Sequence, residues 1–157
     1  MSARPLRITV VGAGSCDEKT ALAAERVGEE IARRGGVLIC GGLGGVMEAA
    51  ARGARRAGGL TIGILPGDRA SDANEHVEIP IPTGLGEARN VVNVRAADAV
   101  VALAGRYGTL SEIALALRMG LPVVAYDSWA VSDDVVVAGS PEQAVAKAFE
   151  LAAARAR

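Results

Sequence analysis

Ala99-Val100-Val101-Ala102-Leu103, then Ala104-Gly105-Arg106-Tyr107-Gly108-Thr109-Leu110-Ser111-Glu112, then Ile113-Ala114-Leu115-Ala116-Leu117-Arg118 is the most telling stretch of the chain. It reads as a buried strand, a loop of small residues and the opening of a helix. Small residues at such a junction let backbone N–H groups approach an anion, and the positive end of the helix dipole favours the anion's charge. Glu112, one turn inside the helix, is within reach of whatever the loop holds. The same order occurs twice more. Val37-Leu38-Ile39-Cys40 leads into Gly41-Gly42-Leu43-Gly44-Gly45 and the helical start Val46-Met47-Glu48-Ala49-Ala50-Ala51. Ile8-Thr9-Val10-Val11 leads into Gly12-Ala13-Gly14-Ser15. In an open parallel sheet such loops share one rim, outside the carboxyl ends of the strands, where ligands bind.

Working outward, strands and helices alternate. Strands are expected at about 7–11, 37–40, 60–65, 77–81, 99–103, 121–126 and 135–137. The fourth contains Pro80, which places it at a sheet edge. Helices are expected at about 18–34, 45–57, 85–97, 109–119 and from Pro141 onward. In the first, Leu22, Ala23, Val27, Ile31 and Ala32 recur at amphipathic spacing. Ser15 and Glu18 have capping-box spacing, and Asp17 is an equally good cap. Ser140-Pro141-Glu142-Gln143 opens the last helix with serine as N-cap, proline first inside and glutamine three on. Residues 67–76 are polar and aperiodic, a surface loop. The alternation predicts an α/β fold, one domain over residues 1–157, with a mainly parallel sheet and right-handed crossovers.

Composition narrows the function. At 157 residues and 50% hydrophobic the chain can bury a real core, yet no apolar run approaches the ~18 residues that cross a bilayer. No signal-peptide pattern opens it, so a cytoplasmic protein without a membrane partner is expected. A net charge of −1 argues against general nucleic-acid binding, and with Tyr107, Tyr126, Trp129 and Phe149 the only aromatics a stacking track for single strands is not expected. Cys16 and Cys40 do not make a disulfide framework; Cys40 closes an apolar strand, and Cys16 lies in a loop.

Several chemistries lack their residues. The first loop has Gly12 and Gly14 but Asp17 where a dinucleotide fingerprint needs its third glycine, and Cys40-Gly41 stands where an acid would hold a ribose. No loop ends in the glycine-lysine-Ser/Thr of a P-loop. His76 is the sole histidine and sits in a polar loop, which argues against a Ser-His-Asp triad and a histidine-based metal site; no metal site is expected. Neither Lys19 nor Lys147 reads as a desolvated Schiff-base lysine.

The loops 41–47 and 105–112 together resemble the Lonely Guy (LOG) family, often mislabelled lysine decarboxylase. Its hallmark is Pro-Gly-Gly-x-Gly-Thr-x-x-Glu, preceded by an Arg-Lys pair fifteen residues before the proline. Ala104 takes the proline position, Arg89 falls fifteen residues earlier, and Thr109 and Glu112 match. Asn90, Ala104 and Arg106 stand where the pattern has lysine, proline and the second glycine. The ending, Val135-Val136-Val137-Ala138-Gly139-Ser140-Pro141-Glu142, is similar to a branch that includes proteins like molybdenum cofactor carriers. The resemblance implies a Rossmann-like, three-layer α/β/α fold with six to seven strands, and a homodimer or higher homo-oligomer. It also implies either hydrolysis of the N-glycosidic bond of a nucleoside 5′-monophosphate or carriage of the molybdenum cofactor as cargo, with no other cofactor required. A nucleotide-sensing module is the third reading.

On the hydrolase reading Arg89 and Glu112 act at the ribose. The phosphorylated small molecule is held by Gly12, Gly14, Ser15, Gly41, Gly42, Gly44, Gly45, Met47, Gly105, Arg106, Tyr107, Gly108 and Thr109. Each has a plainer alternative. Thr109-x-x-Glu112 is also a capping box. Arg89 near a helix start is mildly unfavourable unless it pairs with Glu87 or Asp98. The glycines serve tight turns, Ser15 caps, and Met47 belongs to the core. Arg106 costs about 1 kcal/mol over glycine if its backbone is left-handed, and its guanidinium would add a phosphate contact.

Overall fold

The computed structural model describes residues 4–156. Its strands are β1 Arg7–Gly12, β2 Val37–Cys40, β3 Thr61–Leu65, β4 Ile79–Pro82, β5 Ala99–Leu103, β6 Val123–Tyr126 and β7 Val135–Val137. Its helices are α1 Glu18–Arg33, α2 Val46–Arg56, α3 Arg89–Arg95, α4 Tyr107–Arg118 and α5 Pro141–Arg155. All seven strands form one parallel sheet in the order β4-β3-β2-β1-β5-β6-β7. This is the Rossmann-like α/β fold expected. Successive strands march outward from β1 to β4, and the chain then crosses back to lay β5 on the other flank of β1. The crevice between the carboxyl ends of β1 and β5 is therefore the topological switch point.

The inner strands β1, β2, β3, β5 and β6 are largely buried on both faces, which is why they read as apolar runs, whereas the edge strands β4 and β7 are partly exposed. In β5 every residue is at most 1% exposed. Ala99, Val101 and Leu103 join the core under α1, α2 and α5, while Val100 and Ala102 face the cluster under α3 and α4. That is the two-residue period of a pleated strand. The helices α1 and α2 approach unusually closely: a Cβ on Gly28 would lie 1.9 Å from the Ala50 carbonyl oxygen, and one on Gly53 1.9 Å from that of Glu25. Only glycine permits this reciprocal backbone contact.

Helix ends depart from the sequence reading in instructive ways. Asp17, not Ser15, caps α1, accepting from Thr20 N at 2.8 Å. The helix expected over 85–97 is shorter, because Gly84 and Gly86 take positive φ of 65° and 58° and a single 3-10 turn precedes α3. The fourth helix starts at Tyr107, two residues early, so Thr109 is its third residue and cannot cap it. The edge strand spans 79–82 rather than 77–81. The last helix matches its reading: Ser140 Oγ accepts from Gln143 N at 3.1 Å, and Gln143 Oε1 accepts from Gly139 N at 2.5 Å.

Asp98, just before β5, accepts from Arg4 at 2.8 Å, from Arg7 Nη2 at 3.1 Å and from Arg7 N at 2.8 Å. This cluster ties the amino ends of β1 and β5 together. Among the described residues no helix is long and apolar enough to cross a membrane. No group of three or more His, Cys, Asp or Glu residues is placed to hold a metal ion there.

Candidate functional site

A cleft of about 250 Å³ opens at the switch point. The loop after β1 supplies Gly12, Ala13, Gly14 and Ser15; α2 supplies Met47; α3 supplies Arg89 and Asn90; α4 and its cap supply Arg106, Gly108, Thr109 and Glu112. Residues distant in sequence are thus gathered on four elements at one rim.

Glu112 is 7% exposed. Asn93 Nδ2 donates to its Oε2 at 2.9 Å. The capping-box alternative therefore fails: the carboxylate faces α3, not the end of its own helix. Burial pushes the Glu112 carboxyl up to about 6, opposed by the Asn93 hydrogen bond and the Arg89 charge. A carboxyl that titrates near pH 6 exchanges a proton closer to neutrality than an exposed one does.

Arg89 is 9% exposed, and its Nη2 lies 3.5 Å from the Gly41 carbonyl oxygen. Its Nη1 contacts Asn90 Oδ1. The alternative of a structural ion pair finds no support, since Asp98 is engaged by Arg4 and Arg7 and no ion pair joins Arg89 to Glu87 among the described residues. Arg89 Nε is buried with no partner at all, as is Asn93 Oδ1. A buried guanidinium without a bonded carboxylate is costly. What it can do chemically is receive an anion, in bidentate fashion.

The glycines of the second loop do not line the cleft. A Cβ on Gly41 would lie 2.6 Å from both Arg89 Nη2 and Met47 Sδ, so its bare Cα lets Arg89 lie against the end of β2. Gly45, at φ 64°, brings the second loop onto the first: a Cβ there would be 2.3 Å from the Ala13 carbonyl oxygen, which accepts from Val46 N at 3.0 Å. Gly44 packs against Gly14 in the same seam. The Gly42 and Leu43 carbonyls accept from Asn74 at 2.9 and 2.8 Å. The second loop thus builds the wall behind the first. Gly105, at φ 94°, packs against the Thr109 side chain, and Tyr107 is 79% exposed beside the cleft lining.

Two contributors escaped sequence reasoning. Asn90 was seen only as a departure from a family pattern, yet it lines the cleft. Asn93, 1% exposed, orients Glu112 and accepts from Thr9 Oγ1 through its backbone oxygen at 2.8 Å. Its signal was present: it lies four residues after Arg89, on the same helical face, in an otherwise valine-rich run. Cys40 is buried under the second loop with its thiol pushed up to about 11 by burial, and Cys16 is exposed; both are free.

Comparison with known proteins agrees with this architecture. An uncharacterised protein of Archaeoglobus fulgidus is 50% identical over 141 residues, 89% of this chain and 92% of its own. The molybdenum cofactor binding protein of the phototrophic bacterium Rippkaea orientalis superposes with a TM-score of 0.90 at 38% identity, covering 96% of this chain and 99% of that one. The molybdenum cofactor carrier protein of Chlamydomonas reinhardtii gives 0.85 at 35% identity, over 96% and 99%. At the level of fold alone, DNA processing protein A of Streptococcus pneumoniae is also similar, with a TM-score of 0.72 at 19% identity over 91% and 62%. A family model described as the SLOG cluster4 family matches residues 5–154. Similar in fold to the molybdenum cofactor binding and carrier proteins, this chain belongs to the SLOG cluster4 family.

Proposed function

We propose that the chain binds and carries a phosphorylated pterin of the molybdenum-cofactor type, with the phosphate seated against Arg89. One observation carries the reading: a guanidinium 9% exposed, with an unpartnered buried Nε, lines a cleft at the switch point. Backbone N–H groups of the 12–15 loop and of the first turn of α4, with the Thr109 hydroxyl, supply further donors to a phosphate. Arg106 adds a second cation at the rim. The cofactor-binding and carrier proteins named above support the pterin as cargo rather than substrate.

The test is anaerobic loading with molybdenum cofactor released from a molybdoenzyme, followed by metal analysis and pterin fluorescence. Stoichiometric molybdenum and pterin are expected. Arg89→Ala should bind roughly 10- to 150-fold more weakly, the value of hydrogen bonds to a charged group. Protein that emerges free of both molybdenum and pterin would sink the proposal.

A second reading, hydrolysis of a nucleoside 5′-monophosphate, is favoured by Glu112, whose carboxyl is poised at about 6 beside Arg89. Incubation with AMP and an N6-modified analogue, with ribose 5-phosphate as readout, tests it; Glu112→Gln should lower turnover about 10²- to 10⁴-fold. The remaining expectations belong to the same proposal. The chain acts as a single domain on a small molecule rather than a nucleic acid, and pairs with a second copy. Val91 and Val92, 41% and 38% exposed, give that copy an apolar surface beside the cleft.

A further inference from the structure

Two of the chain's four aromatic residues meet beside the cleft. The Tyr107 and Trp129 rings are stacked, with centroids 6.3 Å apart and planes 29° apart. Tyr107 opens α4, and Trp129 follows β6, so only the parallel pairing of β5 with β6 brings them together. Tyr107 is the most exposed large hydrophobic among the described residues, at 79%. Its ring is therefore open to an incoming ligand while Trp129 backs it from the other side.

The surrounding loops hold the pair in place. Trp129 Nε1 donates to the Arg106 carbonyl oxygen at 3.2 Å, and Ser128 Oγ donates to that of Ala104 at 2.6 Å. Ala104 and Asp127, at φ 46° and 52°, both adopt the left-handed backbone that non-glycine residues avoid. Strain of this kind persists where the surroundings over-determine it, and it clusters at ligand sites. An open groove of about 480 Å³ lies on the Trp129 side of the pair, lined by Gly105, Asp127, Ser128 and Trp129 among others. Arg106 joins the two spaces: it lines the anion cleft, and its carbonyl is Trp129's acceptor.

We infer that Tyr107 and Trp129 form a stacking platform for the planar heteroaromatic ring of the ligand whose phosphate lies at Arg89. The inference rests on the phosphate reading and extends it to the other end of the same molecule. Aromatic faces are sequence-tolerant receivers of flat rings, and Asp127 in the same groove is an acceptor for ring N–H groups. Two rings accommodate one base or pterin. A strand needs a succession of them along a positive track, and this chain carries a net charge of −1.

Calorimetry with three probes separates the two claims: ribose 5-phosphate, which has no flat ring, AMP, and neopterin monophosphate. Tyr107→Ala should weaken AMP or neopterin monophosphate by about 5- to 150-fold, and ribose 5-phosphate far less. Trp129→Phe, which keeps a ring and removes the indole N–H, should retain most of the preference for ring-bearing ligands. The sole tryptophan supplies a second readout: its fluorescence should respond to neopterin monophosphate more than to ribose 5-phosphate. Equal losses for ringed and ringless probes, or none for the ringed ones, overturn the platform while leaving the phosphate site standing. Binding of all three probes that is indifferent to Arg89→Ala overturns the phosphate site instead, and no binding of any probe overturns both. A thymidine oligonucleotide bound more tightly than AMP would replace the small-molecule platform with a single-strand site.

Discussion

Glu112 lowers the stability of the fold once its buried carboxyl ionises. Its carboxyl is raised to about 6 from a reference of 4.5 because burial disfavours the charged form more than Asn93 and Arg89 favour it. The folded state then holds a proton that the unfolded state releases, so stability falls as pH rises from about 4.5 through 6 and stays lower above. Glu112→Gln keeps an oxygen for Asn93 and removes the charge. It should stabilise the unliganded protein by about 1–2 kcal/mol at pH 8 and leave it unchanged near pH 4, measured as a shift in urea midpoint. The same substitution should weaken the pH dependence of anion binding, because an ionised Glu112 repels an incoming phosphate. A Gln variant no more stable at pH 8 than wild type would mean that Glu112 is not desolvated in solution.

Elements in this fold are joined by backbone proximity as much as by side chains. The inward faces of α1, α2 and α5 are dominated by alanine and glycine, so the helices sit close and a methyl group is too much at the tightest points. Gly53→Ala should therefore destabilise by about 1–3 kcal/mol, or more if the helices cannot part, with the denaturant midpoint lowered and the slope unchanged. The caps of α1 and α5 were legible because they are local: a side chain bonds an N–H three residues on. The start of α4 was not. Arg106 enters it without a side-chain cap bond, and the carbonyl before the helix is held by Trp129 from a distant loop.

Across the whole molecule, β1 and β5 carry the cleft at one end and the Asp98 cluster at the other. Arg4 and Arg7 hold the Asp98 carboxyl well below the usual carboxylate range, the Arg4 hydrogen bond being the largest cause and burial opposing. A depressed pKa contributes stability above the unfolded value near 3.9 that is lost as pH falls toward the folded one. Asp98→Asn should lower the urea midpoint at pH 7, and the difference from wild type should shrink steadily below pH 4. Affinity for ribose 5-phosphate at pH 7 should change little, since the cluster lies at the opposite end of the strand pair from Arg89.

The sequence alone determined the order and kind of nearly every element, because periodicity, caps and glycine breaks act over a few residues. Glycine-bearing loops after β1, β2 and β5 were expected at one rim, and the family resemblance added Arg89 and Glu112; of these, the β2-loop glycines stand behind the cleft rather than in it. Contacts between distant segments were decided only by the tertiary structure. Strand order put β5 against β1 and so made the cleft; it turned Glu112 from a plausible cap into a buried carboxyl on Asn93, left Arg89 without an acid, and stacked Tyr107 on Trp129. The physical reason is that burial and desolvation depend on which surfaces meet, and no local stretch of chain encodes its neighbours across a sheet.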